Sequence, residues 1–384
     1  MTILIQNYKY IPISLYIHIP WCIKKCPYCD FNSYEARSGF SEENYITRLL
    51  ENLQQQHHLA QNRKLQSIFI GGGTPSLFSA SNFAHFFKQL TQYIELEENA
   101  EITIEANPGS SDRSNFEGYY QAGINRISLG IQSLNNVFLK KLGRVHDANQ
   151  AQLAFASARA AGFNNINTDL MFGLPGQNLE DALLDLTTVI SWKPDHISWY
   201  QLTIEPNTFF YRYPPQLPDD DLTMEIYSEG KKLLAQAGFH HYEVSAYAQA
   251  EKCSKHNLNY WLFGDYLGIG AGAHSKITNL KNKEIYRSWC WRQPKAYLEH
   301  KTFVAEEKKI AAHEITFEFM LNALRLFQKI PVALFEERTG LNLSEIEQPL
   351  KQAKKLELLH VKNGFLETTQ KGQLFLNDLV ELFL

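Results

Sequence analysis

Short apolar runs alternate six times with helix-length amphipathic segments, and this rhythm leaves few folds open. The runs are Ser14–Ile19, Ser67–Ile70, Glu101–Ala106, Arg126–Ile131, Asn165–Met171 and His196–Leu202. The segments near 42–60, 80–94, 112–122, 147–161, 179–191 and 221–237 read as helices. Six strand–helix units in series predict an α/β fold, a parallel sheet curled into a partial (β/α)6 barrel. Such barrels place their chemistry at the C-terminal ends of the strands. Unusual or polar residues recur at that end here: three cysteines after the first run, Gly71 to Pro75 (GGGTP) after the second, then Glu105, Gln132 and Asp169. Each is weak by itself. Their common placement would set them around one cavity.

The cysteines are Cys22, Cys26 and Cys29, spaced C-x-x-x-C-x-x-C. Three thiolates on one short loop can hold three irons of a cubane 4Fe–4S cluster, whose usual complement is four cysteines. The fourth iron then stays open to a small molecule that chelates through an amine and a carboxylate. S-adenosylmethionine (SAM) does this, and one electron from the cluster can break its sulfonium bond to give a 5′-deoxyadenosyl radical. The spacing resembles the signature of the radical SAM superfamily. The plain alternative is a zinc loop, which would need a fourth Cys or His nearby. His18 is close, but strand alternation sets it apart from the loop.

Composition narrows the setting. The 384 residues suffice for one large domain and a smaller one, and 44% hydrophobic content supports a sizeable core. A net charge of −4 argues against a general nucleic-acid binder. Beyond the loop only Cys253 and Cys290 remain, too few for a disulfide framework. Cysteines meant for iron must stay reduced, so a cytoplasmic location is expected. The stretch MTILIQNYKYIPISLYIHIP lacks a basic segment followed by a long apolar core, so no signal peptide is expected. No run of about 18 apolar residues predicts a membrane span.

The pattern divides the chain into a core over 1–240, an irregular aromatic-rich connection over 241–304, and a C-terminal part over 305–384. In the last, helices near 311–327, 331–338 and 344–355 precede HVKNGFLET, where Asn363-Gly364 signals a type I′ hairpin. A final helix is expected over 369–383. Helices followed by a small hairpin suggest an α+β winged-helix-like module. Such modules often bind DNA, but residues 301–384 hold 11 Lys/Arg against 12 Asp/Glu. A structural or lid role is expected instead, with no nucleic-acid partner.

Several residues carry two readings. Gly71-Gly72-Gly73 lets the backbone approach a ligand, here the methionine end of SAM, or is an ordinary βα turn. Glu105 ends an apolar strand, where a buried carboxylate needs a partner: the SAM amine or ribose, or a salt bridge to a helix. Gln132, Arg144 and Asp169 share these readings, and Arg144 could pair with a carboxylate of ligand or protein. Tyr28, inside the cysteine loop, can shield a cluster or stack on adenine. Tyr16 and His18 share one strand face and read as core packing on pattern alone. In KHNLNYWLFGDYLGIGAGAHS, Lys255 to Ser275, His256 stands among large aromatics. Histidine is an axial ligand to haem iron, and aromatic walls suit a planar macrocycle. The composition by itself favours a satisfied histidine in a packed loop. Gly268, Gly270 and Gly272 suggest close backbone contact.

YIHIPWC, CPYCDF, GGGTPS, EANP, GIQS, LGRVH and TDLMFGLPG together resemble the HemN/HemW branch of radical SAM proteins, from about residue 13 to the C-terminus. HemN proteins are oxygen-independent coproporphyrinogen III dehydrogenases; HemW proteins are haem chaperones. Asp30-Phe31 stand where the HemN loop continues toward a further cysteine, and the first strand starts near residue 13, where HemN carries a longer extension. HNLNYW at 256–261 is similar to the H-N-x-x-Y-W motif of HemW haem handling. The resemblance implies Cys22, Cys26 and Cys29 as cluster ligands. It implies Tyr16, Tyr28, Gly72, Gly73, Thr74, Glu105, Gln132, Arg144 and Asp169 as SAM-binding positions, and His256 as the haem ligand. It also implies haem and haem-accepting apo-proteins as partners, a cluster-dependent homodimer, and at most peripheral membrane contact. The expected function is haem delivery on a radical SAM scaffold without coproporphyrinogen turnover. The alternative is the anaerobic decarboxylase itself.

Overall fold

The computed structural model describes residues 10–36, 40–109 and 112–384. Residues 1–9, part of the stretch expected to lack a leader, lie outside the described residues.

The six expected strands form and lie side by side, all parallel. They are β1 (Ile13–Ile19), β2 (Leu65–Gly72), β3 (Leu96–Ala106), β4 (Arg126–Gln132), β5 (Ile166–Phe172) and β6 (His196–Gln201). Apart from half-buried Leu96, their isoleucine and leucine side chains are buried, as strands covered on both faces require. Helices Glu42–Gln56, Ala80–Leu90, Asp112–Gln121, Ala148–Ala160, Leu179–Ser191 and Asp220–Gln236 follow them. Local chemistry fixes two helix starts: Asp147 with Gln150, and Asn178 with Asp181, form reciprocal capping boxes.

The sheet is twice as wide as expected. Residues 241–304, read as irregular, largely extend it. On one side β7 (His240–Glu243) and β8 (Ala246–Ala248) add antiparallel to β6. On the other, β9 (Asp265–Ile269) pairs parallel with β1. Strands β10 (His274–Thr278), β11 (Ile285–Cys290) and β12 (Val304–Lys309) continue antiparallel. The order is β12-β11-β10-β9-β1-β2-β3-β4-β5-β6-β8-β7, an open sheet. The signal was masked because β9 and β10 carry buried polar residues. Asp265 is fully buried but ion-paired with Arg63 at 2.8 Å and Lys276 at 3.0 Å. The cost of burying these charges is offset by contacts that a linear pattern does not display.

Two main apolar cores result. One fills the barrel. The other joins Tyr242, Leu258 and Phe263 to Ile315, Phe319, Leu334 and Leu366. The C-terminal part therefore packs on the 242–263 stretch and has no core of its own starting at 305. Helices Ala312–Ala323, Ala333–Thr339 and Ser344–Lys355 lead into a three-stranded sheet of Ile330–Pro331, Phe365–Thr368 and Leu359–Lys362. Asn363 and Gly364 turn its hairpin with φ of 54° and 79°, as a type I′ turn demands. The expected last helix is two short ones, Gln370–Leu374 and Leu376–Glu381, meeting at Phe375. Among the described residues no helix is long and apolar enough to cross a membrane.

Candidate cofactor-binding site

The loop after β1 is clasped shut. Trp21–Cys22 pairs with Tyr34–Glu35, and the Asn32 side chain donates to the carbonyls of Ala271 and Arg292 at 2.9 Å each. Cys22, Cys26 and Cys29 hang inside it as free thiols. Burial and the neighbouring thiols push Cys22 up to about 11, and burial also raises Cys29. Iron would displace those protons, since the thiolate is the ligand. Among the described residues no three His, Cys, Asp or Glu side chains gather around a single-ion position. In a cubane each thiolate binds its own iron, so the donor set fits a 4Fe–4S cluster, which would supply the electron that cleaves SAM.

Beside the loop a cavity of about 420 Å³ opens at the C-terminal ends of the strands. It is lined by the three cysteines with Tyr28, Gly72, Gly73, Thr74, Glu105, Gln132, Arg144 and Asp169. All but two of the positions expected from sequence thus converge. Gly72 has φ of 117°, and a Cβ on Gly73 would lie 2.4 Å from the Trp21 carbonyl oxygen. These glycines let β2 end directly against the cysteine loop, where the Gly73 N–H donates to the Ile19 carbonyl at 2.7 Å.

Polar groups that lack full partners face this space. Glu105 is half-buried at the cavity wall and makes no ion pair among the described residues; it accepts the Gly72 N–H at 3.2 Å. Desolvation, with Asp169 adding, pushes it up to about 8. Burial also raises Asp169, which accepts from Ser128 Oγ at 2.9 Å and Asn167 Nδ2 at 2.7 Å. The salt bridge to a helix is therefore not what holds either carboxylate. Arg144 donates to Cys26 Sγ at 3.7 Å, to Asn107 Oδ1 and to the Gly130 carbonyl at 2.8 Å, while its Nε has no partner. A half-buried acid without a counter-ion and a guanidinium with a spare donor complement the ammonium and carboxylate of an amino-acid ligand. Gln132, held at φ of 67°, accepts from Tyr200 at 2.8 Å.

Sequence reasoning passed over Asn107, Ser128, Ser198 and Tyr200, which also line the cavity. Strand alternation carried the signal for three of them: Ser128, Gly130 and Gln132 share one face of β4, as Ser198 and Tyr200 share one face of β6.

Residues 16–187 match the family model for the radical SAM superfamily, and residues 310–375 that for the HemN C-terminal domain. A curated relative from Haemophilus influenzae, heme chaperone HemW, is 49% identical over 377 residues, covering 97% of this chain and 98% of that protein. The Escherichia coli heme chaperone HemW is 44% identical over 373 residues, covering 97% and 98%. The chain belongs to the HemW family. The solved structure of Escherichia coli coproporphyrinogen III oxidase (HemN) aligns with a TM-score of 0.81 over 98% of this chain and 91% of that one. At 22% identity it shows the fold.

The HNLNYW motif lies in the helix Lys255–Trp261. The helix is bolted to the sheet: buried Glu101 accepts the N–H groups of Lys255 and His256 at 3.1 Å each. His256 does not reach the cavity. It is 1% exposed, its Nδ1 meets Ser67 Oγ at 3.0 Å, and its Nε2 meets the Tyr260 hydroxyl at 2.9 Å. Burial lowers it to about 3, so the ring is neutral with both nitrogens engaged. Tyr16 is also absent from the first cavity. Its hydroxyl donates to His18 Nδ1 at 2.9 Å, and both residues line a second cavity, of about 950 Å³, that shares the Gly72–Glu105 wall.

Proposed function

We propose that the protein binds haem and hands it to haem-requiring proteins, on a radical SAM barrel that carries a cluster and SAM. Cys22, Cys26 and Cys29 hold the cluster in this reading. Gly72, Gly73, Thr74, Glu105 and Arg144 take the methionine end of SAM, with Tyr28, Gln132 and Asp169 around the remainder. The near-full-length likeness to HemW chaperones, at 44–49% identity, carries the functional reading. The coproporphyrinogen oxidase shares the fold at 22% identity, which supports no transfer of its reaction.

The test pairs two assays on the anaerobically reconstituted protein. Haem-loaded protein is mixed with an apo-haem protein, and transfer is followed by the acceptor's absorption. In parallel, coproporphyrinogen III, SAM and a low-potential reductant are supplied, and tetrapyrroles and 5′-deoxyadenosine are quantified together. Haem transfer without decarboxylation is the expected result. Multiple-turnover protoporphyrinogen formation with matching deoxyadenosine, or no haem binding at all, overturns the assignment.

A further inference from the structure

We propose that His196 and Asn167 are positioning residues: a one-way file of hydrogen bonds through them holds Asp169 as an acceptor in the first cavity and ties that cavity to the start of the Lys255–Trp261 helix. This rests on the SAM-binding reading above. It adds the residues that set the Asp169 carboxylate and a second place in the fold where occupancy of the cavity is felt.

The file begins on β5. Asp169 Oδ1 accepts from Asn167 Nδ2 at 2.7 Å. The same amide nitrogen donates to Ser128 Oγ at 2.7 Å, and the Ser128 hydroxyl donates to Asp169 Oδ2 at 2.9 Å. This orients the amide, with its NH2 toward Asp169 and its oxygen turned away. That oxygen meets His196 Nδ1, on β6, at 2.6 Å and accepts from Ser198 Oγ at 3.1 Å. A carbonyl oxygen only accepts, so Nδ1 carries the proton. His196 is buried, and desolvation with the charge of Arg126 keeps the ring neutral. A neutral imidazole has a single N–H, so Nε2 is bare and accepts from the Tyr242 hydroxyl, on β7, at 2.8 Å. The Tyr242 oxygen in turn accepts the Ser254 N–H at 3.3 Å. Ser254 is the N-cap of the helix Lys255–Trp261, and its own hydroxyl donates to the Glu101 carboxylate that holds the first N–H groups of that helix.

Every donor from Ser254 onward therefore points toward Asp169. Reversing any one member would set donor against donor or acceptor against acceptor in the interior, so the file has a single arrangement. Its open end is the Asp169 carboxylate on the cavity wall, where a donor of the ligand completes it. Hydrogen bonds in series polarise one another, so a ligand bound at Asp169 tightens the links up to the helix cap. Ligand affinity and helix order are then coupled, and the coupling is reciprocal.

The test uses the full-length, cluster-loaded parent with His196→Leu, His196→Gln and Tyr242→Phe. The cluster's absorption, retained in each variant, reports a folded barrel. SAM affinity is measured by calorimetry, and hydrogen–deuterium exchange of residues 254–261 is followed with and without SAM. Nitrogen NMR of isotope-labelled histidine reads the tautomer, with His196 assigned from the variants that lack it. In the parent His196 carries its proton on Nδ1 and does not titrate near the ordinary histidine pKa, and SAM slows exchange in the helix several-fold. His196→Leu weakens SAM binding roughly tenfold and abolishes that slowing. His196→Gln, which keeps a donor and an acceptor, recovers most of the affinity. Tyr242→Phe cuts the file between ring and helix, so the slowing is lost while SAM affinity falls less than in His196→Leu. A proton on Nε2, parent-like SAM affinity in His196→Leu, equal losses in His196→Leu and His196→Gln, or helix exchange that SAM leaves unchanged in the parent or slows equally in Tyr242→Phe overturns this proposal and leaves SAM binding standing. A parent that binds no SAM overturns the cofactor reading instead.

Discussion

Replacing Glu105 with glutamine makes the SAM-free protein more stable and less able to bind SAM. Glu105 is half-buried at the cavity wall, and desolvation together with Asp169 pushes its pKa up to about 8, against 4.5 for an ordinary glutamate. At pH 7 the unfolded chain has released this proton and the folded chain retains it. Retaining it costs about 1.4 kcal/mol for each pH unit above 4.5, on the order of 3 kcal/mol at pH 7 and about 5 kcal/mol above pH 8. The stability that Glu105 contributes is therefore fully present below pH 4.5 and is lost as the pH rises through 8. A glutamine carries no such penalty and keeps an oxygen for the Gly72 N–H. Denaturation of the cluster-loaded protein under anaerobic conditions at pH 5, 7 and 8.5 measures the gap. Glu105→Gln exceeds the parent by about 3 kcal/mol at pH 7, by more at pH 8.5 and by little at pH 5. Loss of a charge-assisted hydrogen bond worth about 1.5–3 kcal/mol weakens SAM binding roughly ten- to hundredfold. A variant no more stable than the parent at pH 8.5, or a gap that fails to narrow toward pH 5, refutes the view that this carboxyl is held strained for a cationic ligand.

Gly73→Ala forces a Cβ to within 2.4 Å of the Trp21 carbonyl, so reconstitution yields fewer irons per chain and SAM binding is lost; full cluster occupancy would show that the loop can give way. Glu101→Ala leaves buried Arg126 without its carboxylate, 3.9 Å away, and strips the Lys255–Trp261 helix of its acceptor. A loss of about 3–5 kcal/mol is expected in denaturant midpoints, the cost of breaking a buried pair from one side. Arg144→Met removes a fixed positive charge beside Cys26 and so makes the cluster potential more negative. Redox titration followed by electron paramagnetic resonance reads the shift, and an unchanged potential would confine Arg144 to its contacts with Asn107 and Gly130.

The candidate site shows where one-dimensional reasoning reaches and where it stops. Cys22, Glu105 and Gln132 are legible because each lies at or next to the end of an apolar run, and the barrel rule turns that position into a common location. Asn107 was missed although it lies in the same EANP motif as Glu105, since nothing local says that it bridges Thr74 and Arg144. His256 was singled out for its aromatic neighbours in the chain, but its environment is set by Ser67, 189 residues away.

The sequence by itself determined the six parallel units, the thiolate loop, the hairpin at Asn363-Gly364 and the ring of polar residues at the strand ends. These depend on periods of two and 3.6 residues and on spacings of a few positions, which a linear chain displays. Only the tertiary structure decided that β9 pairs with β1, that Lys276 and Asp265 neutralise each other in the interior, and that His256 is buried with both ring nitrogens bonded. Those outcomes depend on burial and on hydrogen bonds between residues far apart in the chain, and a side chain's chemistry follows from the partners it acquires there.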